Sequence, residues 1–208
     1  NIASIKELKR MVVFIIRSLF NNKIMEQIIS FFDETTLKKS IIEKEPYFIE
    51  IVTRQVFFKN STYKERYKIV TDHFDIILKK INEIAIKEVY LKKGIVLWQE
   101  ETLGENLYVK LEFESGQKKE GLLSLMLILG DRKIYQMIFW LGYDEKNQEV
   151  LYIGAMQGSN EIEANNLIKG LTKHFYGYRT KNLILYMTRC LAKSLDIENI
   201  YAVSNDGY

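Results

Sequence analysis

The chain has 208 residues, 47% of them hydrophobic and 27% charged, the balance of a globular protein with ample apolar surface to bury. A single cysteine excludes a disulfide scaffold, and one proline with 11 glycines excludes a collagen-like or linker-like chain. The 30 basic and 27 acidic side chains leave a net charge of +3, too mild a balance to argue for nucleic acid.

The first half reads as helical. Leu8, Val12, Ile15, Ile16, Leu19 and Phe20 recur at three and four, and Met25, Ile28, Ile29 and Phe32 repeat that spacing after Asn21-Asn22. No run reaches the roughly 18 apolar residues of a spanning helix. Lys6, Lys9, Arg10, Arg17 and Lys23 accompany the first apolar stripe. It is read first as a core-facing helix and second as one lying on a membrane surface. Asp33-Glu34-Thr35-Thr36 caps a further short helix, and Pro46 opens the segment up to Phe58. Thr62 and Glu65 have capping-box spacing. The helix they start carries Tyr67, Val70, Phe74, Ile77, Leu78 and Ile81.

Near residue 90 the period changes to alternation. Val89 to Lys92 and Ile95 to Glu100 read as extended. Leu107, Val109, Leu111 and Phe113 alternate with polar residues, a strand with one buried face. Leu122 to Leu129 is nearly all apolar and so central. Ile134 to Leu141 and Val150 to Met156 follow as strands. Gln157-Gly158-Ser159-Asn160 leaves the sheet into a helix from about Glu161 to Phe175. Tyr176-Gly177-Tyr178 breaks it, Thr180 starts another, and Ile200 to Val203 is a last strand. The expected fold is α+β, with an N-terminal helical part over 1–88 packed on a mostly antiparallel sheet domain over 89–208 that contains a helical crossover. The sheet domain is expected to continue past Tyr208.

Few residues suggest chemistry. His73, His174 and Cys190 are scattered, so no metal site is expected. Cys190, among Met187, Leu191 and Ala192, reads as core. Lys173, His174, Arg179 and Lys181 gather at a helix break, where a helix N-terminus favours anions. A solvated loop paired with Glu161 or Glu163 is the competing reading. Nucleic acid is not an expected partner, because basic residues interleave with acids along the chain.

Leu151 to Gly158, the Leu171 to Lys181 block and Ala202-Val203-Ser204-Asn205 resemble, in order, three blocks of the VirK/YbjX family of Gram-negative bacteria: "IGxxQG", "LTK…hGlRPK" and "VSN". Tyr176 stands where that family has His, and Thr180 where it has Pro. The resemblance implies a cytoplasmic protein linked to the cell envelope and virulence, with peripheral inner-membrane contact. The element order is also similar to the GNAT acyltransferase fold. That likeness implies a GNAT-like sheet and an acyl-coenzyme A or acyl-carrier-protein donor, with an amine or hydroxyl acceptor. Met156, Gln157, Gly158, Lys173, His174, Arg179 and Lys181 would then bind the cofactor. Tyr152, Tyr201, Ser204 and Asn205 are the catalytic candidates, with Glu112 and Tyr135 as further proton carriers. The alternative is a non-catalytic anion- or lipid-binding protein, or an adaptor, that uses the 173–181 cluster.

Overall fold

In a computed structural model of the chain, residues 5–114, 116, 119–159 and 164–204 are described. The order is α1 (Ile5–Phe20), α2 (Asn22–Asp33), α3 (Thr36–Lys44), α4 (Tyr47–Glu50), a 3-10 turn (Ile51–Thr53), α5 (Tyr63–Lys80), α6 (Glu83–Leu91), β1 (Ile95–Thr102), β2 (Glu105–Glu112), β3 (Leu123–Leu129), β4 (Arg132–Tyr143), β5 (Glu149–Gly158), α7 (Ala164–His174), α8 (Thr180–Ser194) and β6 (Asn199–Ala202). The fold class is α+β. The chain divides into two compact units, residues 1–71 and 72–208, the boundary falling within the sequence of α5.

The first unit is helical. Met25, Ile28, Phe31 and Phe32 bury one face of α2, and Phe32 stacks on Phe48 at 6.3 Å. Local signals start the helices. The Thr35 hydroxyl accepts the Lys38 N–H. The capping box is complete: Thr62 Oγ1 accepts the Glu65 N–H, and Glu65 Oε2 accepts the Thr62 N–H at 2.7 Å. Buried Arg66 donates to the Val52 carbonyl at 2.9 Å and to Ser61, which fixes the loop before α5.

The second unit is a six-stranded open sheet in the order β1-β2-β3-β4-β5-β6. β1 to β5 form an antiparallel meander, and β6 joins β5 in parallel. Parallel pairing requires a crossover, which α7 and α8 supply. α8 lies against β3 and β4, and α6 against β1 and β2. All seven residues of β3 are buried, as expected for a strand covered on both faces.

Two sequence expectations are corrected here. Val89 to Leu91 is helical, because Asn82 Oδ1 accepts the Ala85 N–H and starts α6, whose Ile86, Val89 and Tyr90 are buried at helical spacing. Cys190 is exposed, since the buried stripe of α8 runs through Leu183, Ile184, Thr188 and Leu191 and bypasses it.

β4 outruns β3. The β3–β4 register ends at Leu123 opposite Phe139, and the Leu122 N–H donates to the Phe139 carbonyl. The Leu141 N–H, one rung further, has no strand beside it. It donates instead to His73 Nδ1 at 3.0 Å. His73 Nδ1 is therefore an acceptor, and the ring's proton sits on Nε2. Nε2 lies 2.6 Å from the Tyr90 hydroxyl, which in turn donates to the Leu122 carbonyl at 3.5 Å. Burial lowers the His73 pKa to about 3 and raises that of Tyr90, so both rings are neutral.

An unfolded histidine titrates near 6.5. Below that pH the unfolded chain binds a proton that folded His73 refuses down to about pH 3. The contribution of His73 is complete above pH 6.5 and falls by about 1.4 kcal/mol per pH unit toward pH 3. Urea titrations of wild type and His73→Gln at pH 7 and 5 check this. Wild type should lose about 2 kcal/mol more than the variant between those pH values. His73→Ala, which orphans buried partners, should cost about 3 kcal/mol or more at pH 7.

Candidate functional site

The flagged residues fall into three places in the second unit. The first is a cavity of about 550 Å³, whose lining includes Tyr135 of β4, Lys169 and Lys173 of α7, and Arg179, Thr180 and Lys181 at the start of α8. α7 stops because Gly177 adopts φ +91°, which a residue with a side chain resists. The Gly177 N–H then donates to the Thr172 carbonyl at 2.8 Å. α8 begins with Arg179 at its N-cap, with no side-chain cap and no acidic residue in its first turn. Four cations thus surround the cavity, and among the described residues no Asp or Glu lines it and none of the four has an ion-pair partner. This arrangement suits an anion. The proposed partners Glu161 and Glu163 of the competing loop reading lie outside the described residues.

The second place is the free end of β5. β6 pairs only with Val150 to Ile153, and the Val203 N–H donates to the Ile153 carbonyl at 3.0 Å. The β4–β5 register then slips, with Ile153 opposite Phe139 but Ala155 opposite Ile138, so Gly154 is an extra residue. The bulge reverses the direction of the peptide groups that follow. The Ser159 N–H donates to the Ile134 carbonyl across the β4 side. Alternation therefore turns the Met156 and Gly158 peptide groups away from β4, to an edge that no described backbone group pairs. Gly154 is required at the bulge: a Cβ there would lie 1.7 Å from the Glu120 carbonyl oxygen. Gly158 adjoins the cavity, since its Cβ position is 3.3 Å from the Tyr135 ring.

The third place is an aromatic row on the other face of the sheet, because Trp140 and Tyr135 are five residues apart on β4. Trp140 stacks on Tyr152 at 5.4 Å, and Tyr152 meets Tyr201 at 5.7 Å. Partial burial, helped by Asp144, raises the Tyr152 pKa.

Met156, Gln157, Gly158, Lys173, Arg179 and Lys181 are thus grouped around the cavity and the adjoining strand end. Tyr152 and Tyr201 are paired but on the opposite face. His174 is bonded to Glu100 of β1 at 2.8 Å rather than lining the cavity. Glu112 is paired with Lys110. Ser204 is exposed, and Asn205 lies outside the described residues. Sequence reasoning passed over Lys169 and Glu120. Lys169 had a legible signal, being one turn before Lys173. Glu120 had none: its peptide reaches the bulge only through tertiary packing, and burial raises its carboxyl pKa.

Gly154→Ala should destabilise the protein by about 2–4 kcal/mol, because the Glu120 peptide must move to admit the methyl group. Thermal unfolding of the variant checks this.

A family described as "protein of unknown function (DUF535)" matches residues 3–208. The chain belongs to that family, which is the VirK/YbjX family. No curated protein and no solved structure matches the chain.

Proposed function

We propose that this member of the family binds a phosphate-bearing acyl donor, coenzyme A-linked or carrier-linked, and transfers the acyl group to an amine or hydroxyl. The observation that carries the reading is the four-cation cavity lined by Tyr135, whose ring lies 3.3 Å from the Cβ position of Gly158 in the end of β5 that no described strand pairs on its outer edge. The two parts suit the two chemistries of such a donor. Lys169, Lys173, Arg179 and Lys181 would hold phosphates. The Met156 and Gly158 peptide groups would hydrogen-bond an amide-bearing arm as a further strand would.

The donor supplies a thioester. Transfer breaks its C–S bond and forms a C–N or C–O bond, with one proton leaving the nucleophile and one reaching the sulfur. An N–H of the β5 edge would polarise the carbonyl. Glu120, whose peptide reaches the β5 bulge and whose carboxyl pKa is raised by burial, suits the base. Tyr135, which lines the cavity, suits the acid; Tyr152, on the opposite face, does not. An envelope acceptor rests on the family resemblance alone. The second reading, an anion- or lipid-binding protein without turnover, is favoured by the absence of Asp and Glu among the described lining residues of the cavity.

Calorimetric titration with coenzyme A, acetyl- and long-chain acyl-coenzyme A, and ATP as control anion, tests the proposal. The coenzyme A series should bind in preference to ATP, and at 100 times its dissociation constant should stabilise the protein by about 2.7 kcal/mol. Arg179→Ala with Lys181→Ala should weaken binding about tenfold or more. Equal affinity for every anion would favour the non-catalytic reading, and no binding at all would refute both.

A further inference from the structure

α1 turns its better apolar face outward. Leu8, Met11, Val12, Ile15, Ile16 and Leu19, one stripe at helical spacing, are all more than 40% exposed, and Phe20 at its end is 84% exposed. Val13, Phe14 and Ser18 occupy the less accessible side. The expectation of a core-facing stripe is therefore not met. The stripe runs for about 18 Å, taking 1.5 Å per residue. Monomeric soluble proteins rarely leave so continuous an apolar strip in water.

The charge of the same segment is one-sided. From residue 8 to residue 25 the ionisable side chains are Lys9, Arg10, Arg17 and Lys23, with no acid. Lys23 belongs to α2; α1 itself has Lys6, Lys9, Arg10 and Arg17 against Glu7, 4 − 1 = +3, and the whole chain carries +3, so the remainder carries 3 − 3 = 0. All of the excess positive charge is on the element that exposes the apolar stripe. Two copies of this helix placed face to face would bring those cations together. A surface that accepts apolar side chains and presents anionic groups around them has the complementary character. No helix among the described residues is long and apolar enough to cross a membrane, so the helix would lie in the interface plane.

We propose that α1 docks the protein on anionic phospholipid bilayers, with Leu19 and Phe20 entering the acyl boundary and the cations meeting headgroup phosphates. This is independent of the acyl-donor reading, which concerns the second unit.

Co-sedimentation of the full chain with phosphatidylglycerol-containing vesicles, against phosphatidylcholine vesicles, tests it. Wild type should bind the anionic vesicles at least about tenfold better, and salt should weaken that binding. Leu19→Glu with Phe20→Glu, exposed positions whose replacement leaves the packing of the first unit intact, should abolish binding. Lys9→Glu with Lys23→Glu should lower it about tenfold on anionic vesicles alone. Circular dichroism and thermal unfolding establish that both variants are folded. No vesicle binding by wild type, or equal binding to both vesicle types, would overturn the proposal. So would a lipid-free dimer that the Leu19 and Phe20 changes dissociate, which would make the stripe an interface between copies.

Discussion

A strand that outruns its neighbour must find other partners for its peptide groups, and this requirement governs the sheet twice. Where β3 stops, the Leu141 N–H is left over in the core, and His73 takes it at 3.0 Å. An unsatisfied buried donor costs about 1–3 kcal/mol, so the rung cannot simply be empty. The remedy needs a side chain with one acceptor and one donor, held neutral. Neutral imidazole meets that need, and Tyr90 receives its other nitrogen. Where β6 stops, the outcome is different. The Gly154 bulge turns Met156 and Gly158 outward, and no described group answers them. One overhang is sealed by the core, and the other is left at the surface beside a cavity lined with cations.

That contrast separates structural from functional polarity. His73 is the type of residue that attracts a catalytic or metal-binding reading, yet its burial and its two partners account for it fully. The four cations of the α7–α8 corner have no such account. Like charges gathered on one exposed wall repel one another, weakly because water and salt screen them. A cavity wall that collects Lys169, Lys173, Arg179 and Lys181, with no acid among the described lining residues, favours an anion. The helix start at Thr180, uncapped by any side chain, adds a further attraction of the same sign.

Much of the fold was legible because its signals are local. The switch from helical to alternating spacing places the sheet, the unbroken apolar run from Leu122 to Leu129 marks its centre, and the Thr62–Glu65 pair starts α5. The short helix α6 was missed because Val89 to Leu91 is equally apolar in either period and Asn82 was not recognised as a cap. Cys190 reads as core from Met187, Leu191 and Ala192 nearby, while its own angle on α8 faces solvent. The cation cluster was visible in the Lys173 to Lys181 block. The bulge at Gly154 and the approach of Glu120 were not, since both depend on which strands end beside which, and spacing along one strand carries no record of its neighbour's length. The α1 stripe was legible as amphipathic, but not the side on which it would pack.

The claim on which this account rests is that the outer edge of β5 receives a ligand. Amide hydrogen exchange across residues 155–159, measured with and without coenzyme A, tests it most directly. The account predicts that the Met156 and Gly158 amides become protected when coenzyme A is added, together with the amides at the start of α8. Protection confined to the Arg179–Lys181 region, with the β5 edge exchanging as before, would contradict it.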